Sequence, residues 1–179
     1  MPRITLTPAT RGNYQKTVNL PADEFGKSKT DPPDTVDQGN VTLYAFIVDT
    51  SKMTYKFPIP ADYAGGDMVF YIIWTNDGDV DDNGLNVKWQ LDYQVSAEGD
   101  VIDGDHANSP KSVEDTDTSD LGWVEHHSEI MTIGASDFDG KVCILLKLMA
   151  VTPVGTPLTC DPHLMGMCYS YKAVWGRKG

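Results

Sequence analysis

Apolar and polar residues alternate almost without interruption over residues 85–96. The odd-numbered positions carry apolar side chains: Leu85, Val87, Trp89, Leu91, Tyr93 and Val95. The even-numbered positions carry polar ones: Asn86, Lys88, Gln90, Asp92 and Gln94. Successive side chains of a strand point to opposite faces, so this pattern predicts a half-buried β-strand. Residues 67–75 are apolar at both odd and even positions, as in a strand covered on both faces. A loop rich in Asp, Asn and Gly separates the two runs, and we predict one long antiparallel pair with Trp74 and Trp89 near its centre.

Shorter runs of the same kind predict the remaining strands, at residues 41–48, 53–59, 122–132, 142–151 and 164–175, with a short edge strand near residues 111–113. No stretch of ten residues shows the 3.6-residue period of a helix. The long loops at residues 97–120 and 152–163 suit Greek-key crossings better than a simple meander. We therefore predict an all-β fold, an antiparallel β-sandwich that is jelly-roll-like.

Residues 1–40 differ from the rest, because five prolines interrupt them and glycine, threonine and aspartate fill the gaps. Proline cannot donate to a β ladder. We predict an extended N-terminal arm over residues 1–40 and a β-sandwich domain over residues 41–179. The arm carries short apolar pairs and positive charges that could bind a partner through strand addition. These predicted partner-binding residues are Arg3, Ile4, Leu6, Arg11, Lys16, Val18 and Leu20.

Negative charge is concentrated in the middle of the chain. Residues 61–140 hold 19 acidic residues against two lysines, giving −17, while residues 1–60 give +1 and residues 141–179 give +4, for a net charge of −12. Affinity for nucleic acid depends largely on Lys and Arg, so we predict no nucleic-acid binding. No long apolar run is present, which predicts no membrane association.

One acidic stretch has the spacing of metal ligands. Asp77, Asp79, Asp81 and Asn83 lie in a loop that ends at Gly84, and the last three match the opening of an EF-hand calcium loop. The match fails at the twelfth position, which is Gln90 instead of Glu. We predict a solvated hairpin loop without a cofactor, with calcium binding as the alternative.

Other chemistry-bearing residues form no recognisable motif. The three cysteines contain no Cys-x-x-Cys pair, so neither a disulfide framework nor a zinc site is indicated. His126 and His127 are adjacent, so in a strand they face opposite sides and cannot bind one metal together. No nucleophile elbow or phosphate-binding glycine loop is present. We predict that the protein is not an enzyme.

Several stretches of strand and turn resemble a β-sandwich domain that is common among structural proteins of tailed bacteriophages. They are Ile59-Pro60 through Gly65-Gly66, Trp74-Thr75, Val87-Lys88-Trp89, Asp137-Phe138-Asp139-Gly140 and the closing run from Leu164 to Tyr171. The resemblance covers roughly residues 58–175. It implies a virion component, often a homotrimer, that binds other virion proteins such as the major capsid protein or tail and neck subunits.

Two functions follow from this resemblance. The first is a capsid decoration or cement protein, located in the virion, that stabilises neighbouring shell subunits through its sandwich and its arm. The alternative is a binding module of a tail or head fibre that recognises host surface glycan. In that case exposed aromatic side chains such as Trp123 or Tyr63 would stack on sugar rings.

Overall fold

The computed structural model describes residues 13–77, 82–102, 108–119 and 121–174, and within these residues eleven strands form two antiparallel sheets. In chain order the strands are β1 (Asn13–Pro21), β2 (Gly26–Lys27), β3 (Asp34–Gln38), β4 (Val41–Ala45), β5 (Lys52–Pro58), β6 (Tyr63–Thr75), β7 (Asn86–Ser96), β8 (Asn108–Thr116), β9 (His126–Ile133), β10 (Cys143–Val151) and β11 (His163–Val174). Two 3-10 turns, Ala22–Glu24 and Ala135–Phe138, accompany them. In the part of the chain that is described, no helix has the length and apolar content needed to cross a membrane.

The first sheet has the strand order β3-β4-β11-β6-β9, and β1 pairs with β11 beside β4. The second sheet has the order β2-β5-β10-β7-β8. Strands that follow each other in the chain, such as β6 and β7 or β10 and β11, lie in different sheets. Such crossings are typical of a jelly roll. The predicted fold class, an antiparallel jelly-roll-like β-sandwich, is therefore confirmed.

The core lies between the sheets and is built from alternate positions of the strands. On β6 the inward residues Met68, Phe70, Ile72 and Trp74 are completely buried, while the residues between them are partly exposed. The alternation predicted for β7 is confirmed, with Trp89 fully buried on its inward face. Both tryptophans of the predicted pair thus face the same core.

The predicted pairing of residues 67–75 with residues 85–96 is wrong. β6 pairs with β11 and β9 in the first sheet, whereas β7 pairs with β10 and β8 in the second. The loop between β6 and β7 therefore crosses from one sheet to the other. Alternation shows which face of a strand is buried, and it does not show which strand lies beside it.

The prediction of an arm separate from the sandwich is wrong for residues 13–40. β1 pairs with β11 along its whole length, and Leu20, Ala22 and Phe25 belong to the core. β11 is adapted to this contact, because a Cβ atom on Gly166 would lie 2.9 Å from the Leu20 carbonyl oxygen. The prolines of this region fall at strand ends and in loops, where no ladder hydrogen bond is needed. Residues 1–12 lie outside the described residues.

Candidate binding site at the loop end of the sandwich

Buried polar side chains collect at one end of the sandwich, where β6 and β8 end and β9 and β11 begin. Polar groups are rarely buried without a compensating partner, so a cluster of them marks a place where the chain is organised around polar contacts. The buried polar residues at this end are Thr75, Asn76, Asp82, Asp117, Ser128 and His163.

Asp82 fastens the loop between β10 and β11 to this end. Its Oδ1 accepts hydrogen bonds from the Thr159 backbone N–H at 2.8 Å and from Thr159 Oγ1 at 2.6 Å. The Cys160 thiol donates to Oδ2 at 3.0 Å. Burial alone would raise the pKa of the Asp82 carboxyl, but the hydrogen bonds from Cys160 and Thr159 outweigh it and hold the pKa below its usual range. Asp82 is therefore a buried carboxylate held by three hydrogen-bond donors.

Asp117 holds the segment after β8 in place through a second set of hydrogen bonds. Asn76 donates to its Oδ2 at 2.6 Å and the Ser119 backbone N–H donates to its Oδ1 at 2.9 Å. His126 Nε2 lies 3.4 Å from the same Oδ1. The His126 ring also stacks on Trp74, with the ring centroids 4.4 Å apart. Strands from both sheets are thereby joined through one carboxylate.

Trp123 lies over this cluster in an unusual backbone conformation. Its φ of 64° falls in the left-handed region, which costs free energy for a bulky residue and marks functional sites more often than ordinary loops. The indole is partly exposed and stacks on the buried imidazole of His163, with centroids 5.2 Å apart and planes at 5°. The Trp123 backbone N–H donates to the Asn76 carbonyl at 3.2 Å, which holds the strained residue in place.

Three ligand-type side chains approach each other beside Trp123 and His163. One ligand atom from each of Asp77, Asp82 and Cys160 lies within 4.8 Å of the others. Burial raises the pKa of the Cys160 thiol, and the hydrogen bonds with Asp82 and Asp77 raise it further. A nucleophilic cysteine needs the opposite shift, because the thiolate is the reactive form. The raised pKa therefore does not favour Cys160 as a nucleophile.

A second feature lies on the side of the sandwich, where the two sheets open between β1 and β5. A groove of about 630 Å³ runs between these strands. Its lining includes the aromatic residues Tyr55, Phe57, Tyr169 and Tyr171, and the ring centroids of successive members of this series lie 5.5, 5.0 and 5.8 Å apart. In the described residues no strand pairs with the outer edge of β1, so the groove lies beside an open sheet edge.

Charged residues close one end of this groove, which we call the β1–β5 groove. Lys16 Nζ donates to Asp62 Oδ2 at 2.8 Å, and the buried Tyr171 hydroxyl donates to Asp62 Oδ1 at 2.6 Å. These bonds hold the pKa of the Asp62 carboxyl below its usual range. At the other end Tyr55 donates to Glu24 at 2.8 Å; burial and this bond raise the pKa of Tyr55 to about 12.

The structure divides the predicted partner-binding residues. Lys16, Val18 and Leu20 line the β1–β5 groove, but the Leu20 side chain is buried and belongs to the core. The other four lie outside the described residues: Arg3, Ile4, Leu6 and Arg11.

The predicted calcium loop is described at its two ends. Asp77 joins the group with Asp82 and Cys160, and Asn83 is exposed on the following turn. Asp79 and Asp81 lie outside the described residues. Sequence reasoning missed Cys160, because its contact with Asp82 joins positions 78 residues apart.

The two aromatic residues expected to meet glycan have different surroundings. Tyr63 packs against Phe138 and Tyr171, with centroids 5.1 and 6.2 Å away, and its hydroxyl donates to the Gly66 carbonyl. Trp123 keeps an accessible part of its ring above His163. Both rings are partly exposed, and they differ in that Tyr63 packs against two other aromatic rings whereas Trp123 stacks on one imidazole.

No family model and no curated protein matches the sequence. Among solved structures the chain is similar to an exo-β-1,3-galactanase from Phanerochaete chrysosporium, with a TM-score of 0.54 at 7% identity over 86% of this chain and 29% of that chain. It also aligns with the xylan-binding module CBM15, with a TM-score of 0.48 at 12% identity over 89% and 97% of the two chains. A chain of infectious bursal disease virus, Gx strain, gives a TM-score of 0.45 at 10% identity over 97% and 36%.

The galactanase alignment supports the fold, and at 7% identity it supports the fold alone. The chain spans less than a third of the galactanase chain, so the activity in that protein's name is not carried over. The chain is thus a β-sandwich of the jelly-roll type. It has a polar cluster at its loop end and, in its described residues, an open edge at its side.

Proposed function

We propose that this protein is a structural component of a virion, of the capsid decoration or cement type, that binds a neighbouring subunit through the open edge of β1. The observation that carries the proposal is an edge of β1 with which no described strand pairs, together with the adjoining β1–β5 groove. An unpaired edge offers backbone donors and acceptors to an added strand, and a groove beside it gives side-chain specificity. The resemblance of residues 58–175 to structural proteins of tailed bacteriophages supports the same role.

The partner in this proposal is the major capsid protein or a tail or neck subunit, and the protein itself is a homotrimer. Residues 1–12 precede β1 and carry Arg3, Ile4, Leu6 and Arg11, which we predict to contact the same partner. Three such contacts in one trimer strengthen each other through effective concentration, so weak individual contacts suffice.

Removing residues 1–12, or placing a charge in the groove, tests this proposal. We expect a chain that lacks residues 1–12, and separately the Val18→Asp variant, to stay folded but to bind particles at least tenfold more weakly. The matched control is Thr17→Asp, whose side chain is exposed in the same strand and does not line the groove. Binding is measured by co-sedimentation with shells that lack the protein, and folding by circular dichroism. Unchanged binding of both altered chains would refute the proposal.

A second candidate function, glycan binding by a fibre module, is favoured by one observation, the strained and partly exposed Trp123. Aromatic rings present an apolar face, and nearby carboxylates can accept hydrogen bonds from sugar hydroxyls. Asp77 and Asp161 are exposed at this end and supply such acceptors.

A glycan array distinguishes the two functions. If the protein recognises glycan, Trp123→Ala abolishes the array signal while Tyr71→Ala, which truncates a partly exposed ring on the outer face of β6, retains it. Absence of any glycan signal from the unaltered protein would leave the virion role as the one supported. A signal that survives Trp123→Ala would place recognition elsewhere on the molecule.

A further inference from the structure

We infer that Asp77, Asp82 and Cys160 form a binding site for a thiophilic divalent cation of the zinc type. At the loop end of the sandwich the three ligand atoms lie within 4.8 Å of one another. Ligands of one tetrahedral ion, each 2.0–2.3 Å from the metal, are separated by distances in this range.

Asp82 is oriented for this role by Thr159. Both Thr159 hydrogen bonds go to Oδ1, so they fix the carboxylate while Oδ2 faces the Cys160 sulfur at 3.0 Å. Metal-binding carboxylates are commonly held by a second layer of hydrogen bonds of this kind. Asp77 is exposed and gives an ion a path from solvent to the buried Asp82.

The donor set selects the class of ion. Calcium and magnesium prefer all-oxygen ligands, whereas a cysteine sulfur selects zinc and other thiophilic ions. When the ion binds, the Cys160 S–H bond breaks, the proton leaves to solvent, and the sulfur lone pair binds the metal in its place. The Asp loop that resembled a calcium site in sequence therefore points to a different cation once Cys160 lies beside it.

An independent observation at the same place is the buried imidazole of His163. The side chain is 4% exposed, and among the described residues its Nδ1 has no hydrogen-bond partner. The carboxylate of Asp77 acts on it electrostatically, and Trp123 covers its face. A buried polar nitrogen without a partner is costly, and a cation with its bound water beside Asp77 would supply that partner.

The test is a titration of the full chain, first stripped of metal by a chelator, with Zn²⁺ by calorimetry and with Co²⁺ by absorption spectroscopy. We expect one ion per chain and a thiolate-to-cobalt charge-transfer band in the near ultraviolet. Cys160→Ser should remove the band and weaken Zn²⁺ binding by about tenfold or more. Because serine can still donate to Asp82, this variant should remain folded.

Two further variants keep the test decisive. Asp77→Asn changes an exposed ligand without disturbing the core and should also weaken Zn²⁺ binding about tenfold. Cys143→Ser removes another free cysteine that lies outside the group, and this variant should bind Zn²⁺ as the unaltered chain does. The inference is overturned if no ion binds at one per chain, if Cys160→Ser binds Zn²⁺ normally, or if Ca²⁺ binds with no sensitivity to Cys160→Ser.

Discussion

Asp62 connects the open side of the sandwich to its core. It accepts hydrogen bonds from Lys16 on β1 and from the buried Tyr171 on β11. Both partners favour the ionised carboxylate, and the pKa of Asp62 is lowered as a result. One side chain thus fastens an edge strand to the strand that supports it.

The lowered pKa of Asp62 predicts how stability changes with acid. A carboxyl whose folded pKa lies below its unfolded value of about 3.9 stabilises the protein above that value. The contribution is lost as the pH falls through the lower, folded pKa. Asp62→Asn should therefore lower the free energy of unfolding at pH 7 and reduce its decline between about pH 5 and pH 2.

Urea denaturation across that pH range measures the effect. Asp23→Asn changes an exposed carboxylate near β1 and is the matched control, with the acid dependence expected to match that of the unaltered protein. An Asp62→Asn variant with the same acid dependence as the unaltered protein would contradict the role given to Asp62.

Residues of the loop end show how far the sequence predicted the site. The spacing of Asp77, Asp79, Asp81 and Asn83 drew attention to that loop as a candidate ligand site, and this stays a prediction. It could not identify Cys160 or His163, because neither lies in a motif and each reaches the loop through a sheet crossing. Spacing reports ligands on one segment, whereas this site takes its members from segments about 80 residues apart.

At the scale of elements, β1 is the strand whose role the sequence concealed. Few of its positions are apolar, and its flanks are rich in proline. This composition resembles that of an extended arm. In the structure those positions still complete the core, because β11 offers a ladder along the whole of β1. Composition averages over a segment, while strand addition depends on a handful of inward side chains.

Truncation of Leu20 tests this role of β1. Leu20 is 4% exposed, so Leu20→Ala should lower the free energy of unfolding by about 2–5 kcal/mol through lost burial and the cavity that remains. Thr17→Ala, at an exposed position of the same strand, should change it by less than about 0.5 kcal/mol. Both are measured by urea denaturation. Equal, small effects would show that β1 is not part of the folded unit.

At the scale of the whole molecule, the class of fold was predictable and the connections were not. Period-2 alternation, turn residues between runs and the absence of helical periodicity are local signals, and they identified an all-β sandwich. The partner of each strand depends on contacts between distant segments. That is why β6 and β7 were expected to pair with each other and instead lie in opposite sheets.

The pairing of β1 with β11 also bears on how the protein is made. The first described strand finds its neighbour in the last one, so ribosomal synthesis must deliver nearly all of the described chain before that ladder can form. Until then β11 is not in place to pack against the aromatic side chains of β5 or to pair with the edge of β6. Topologies that join distant segments fold slowly, and exposed edges in the interval favour aggregation. The yield of folded protein on expression should accordingly depend on temperature and on chaperones, and to a greater extent than expected from the stability of the folded sandwich alone.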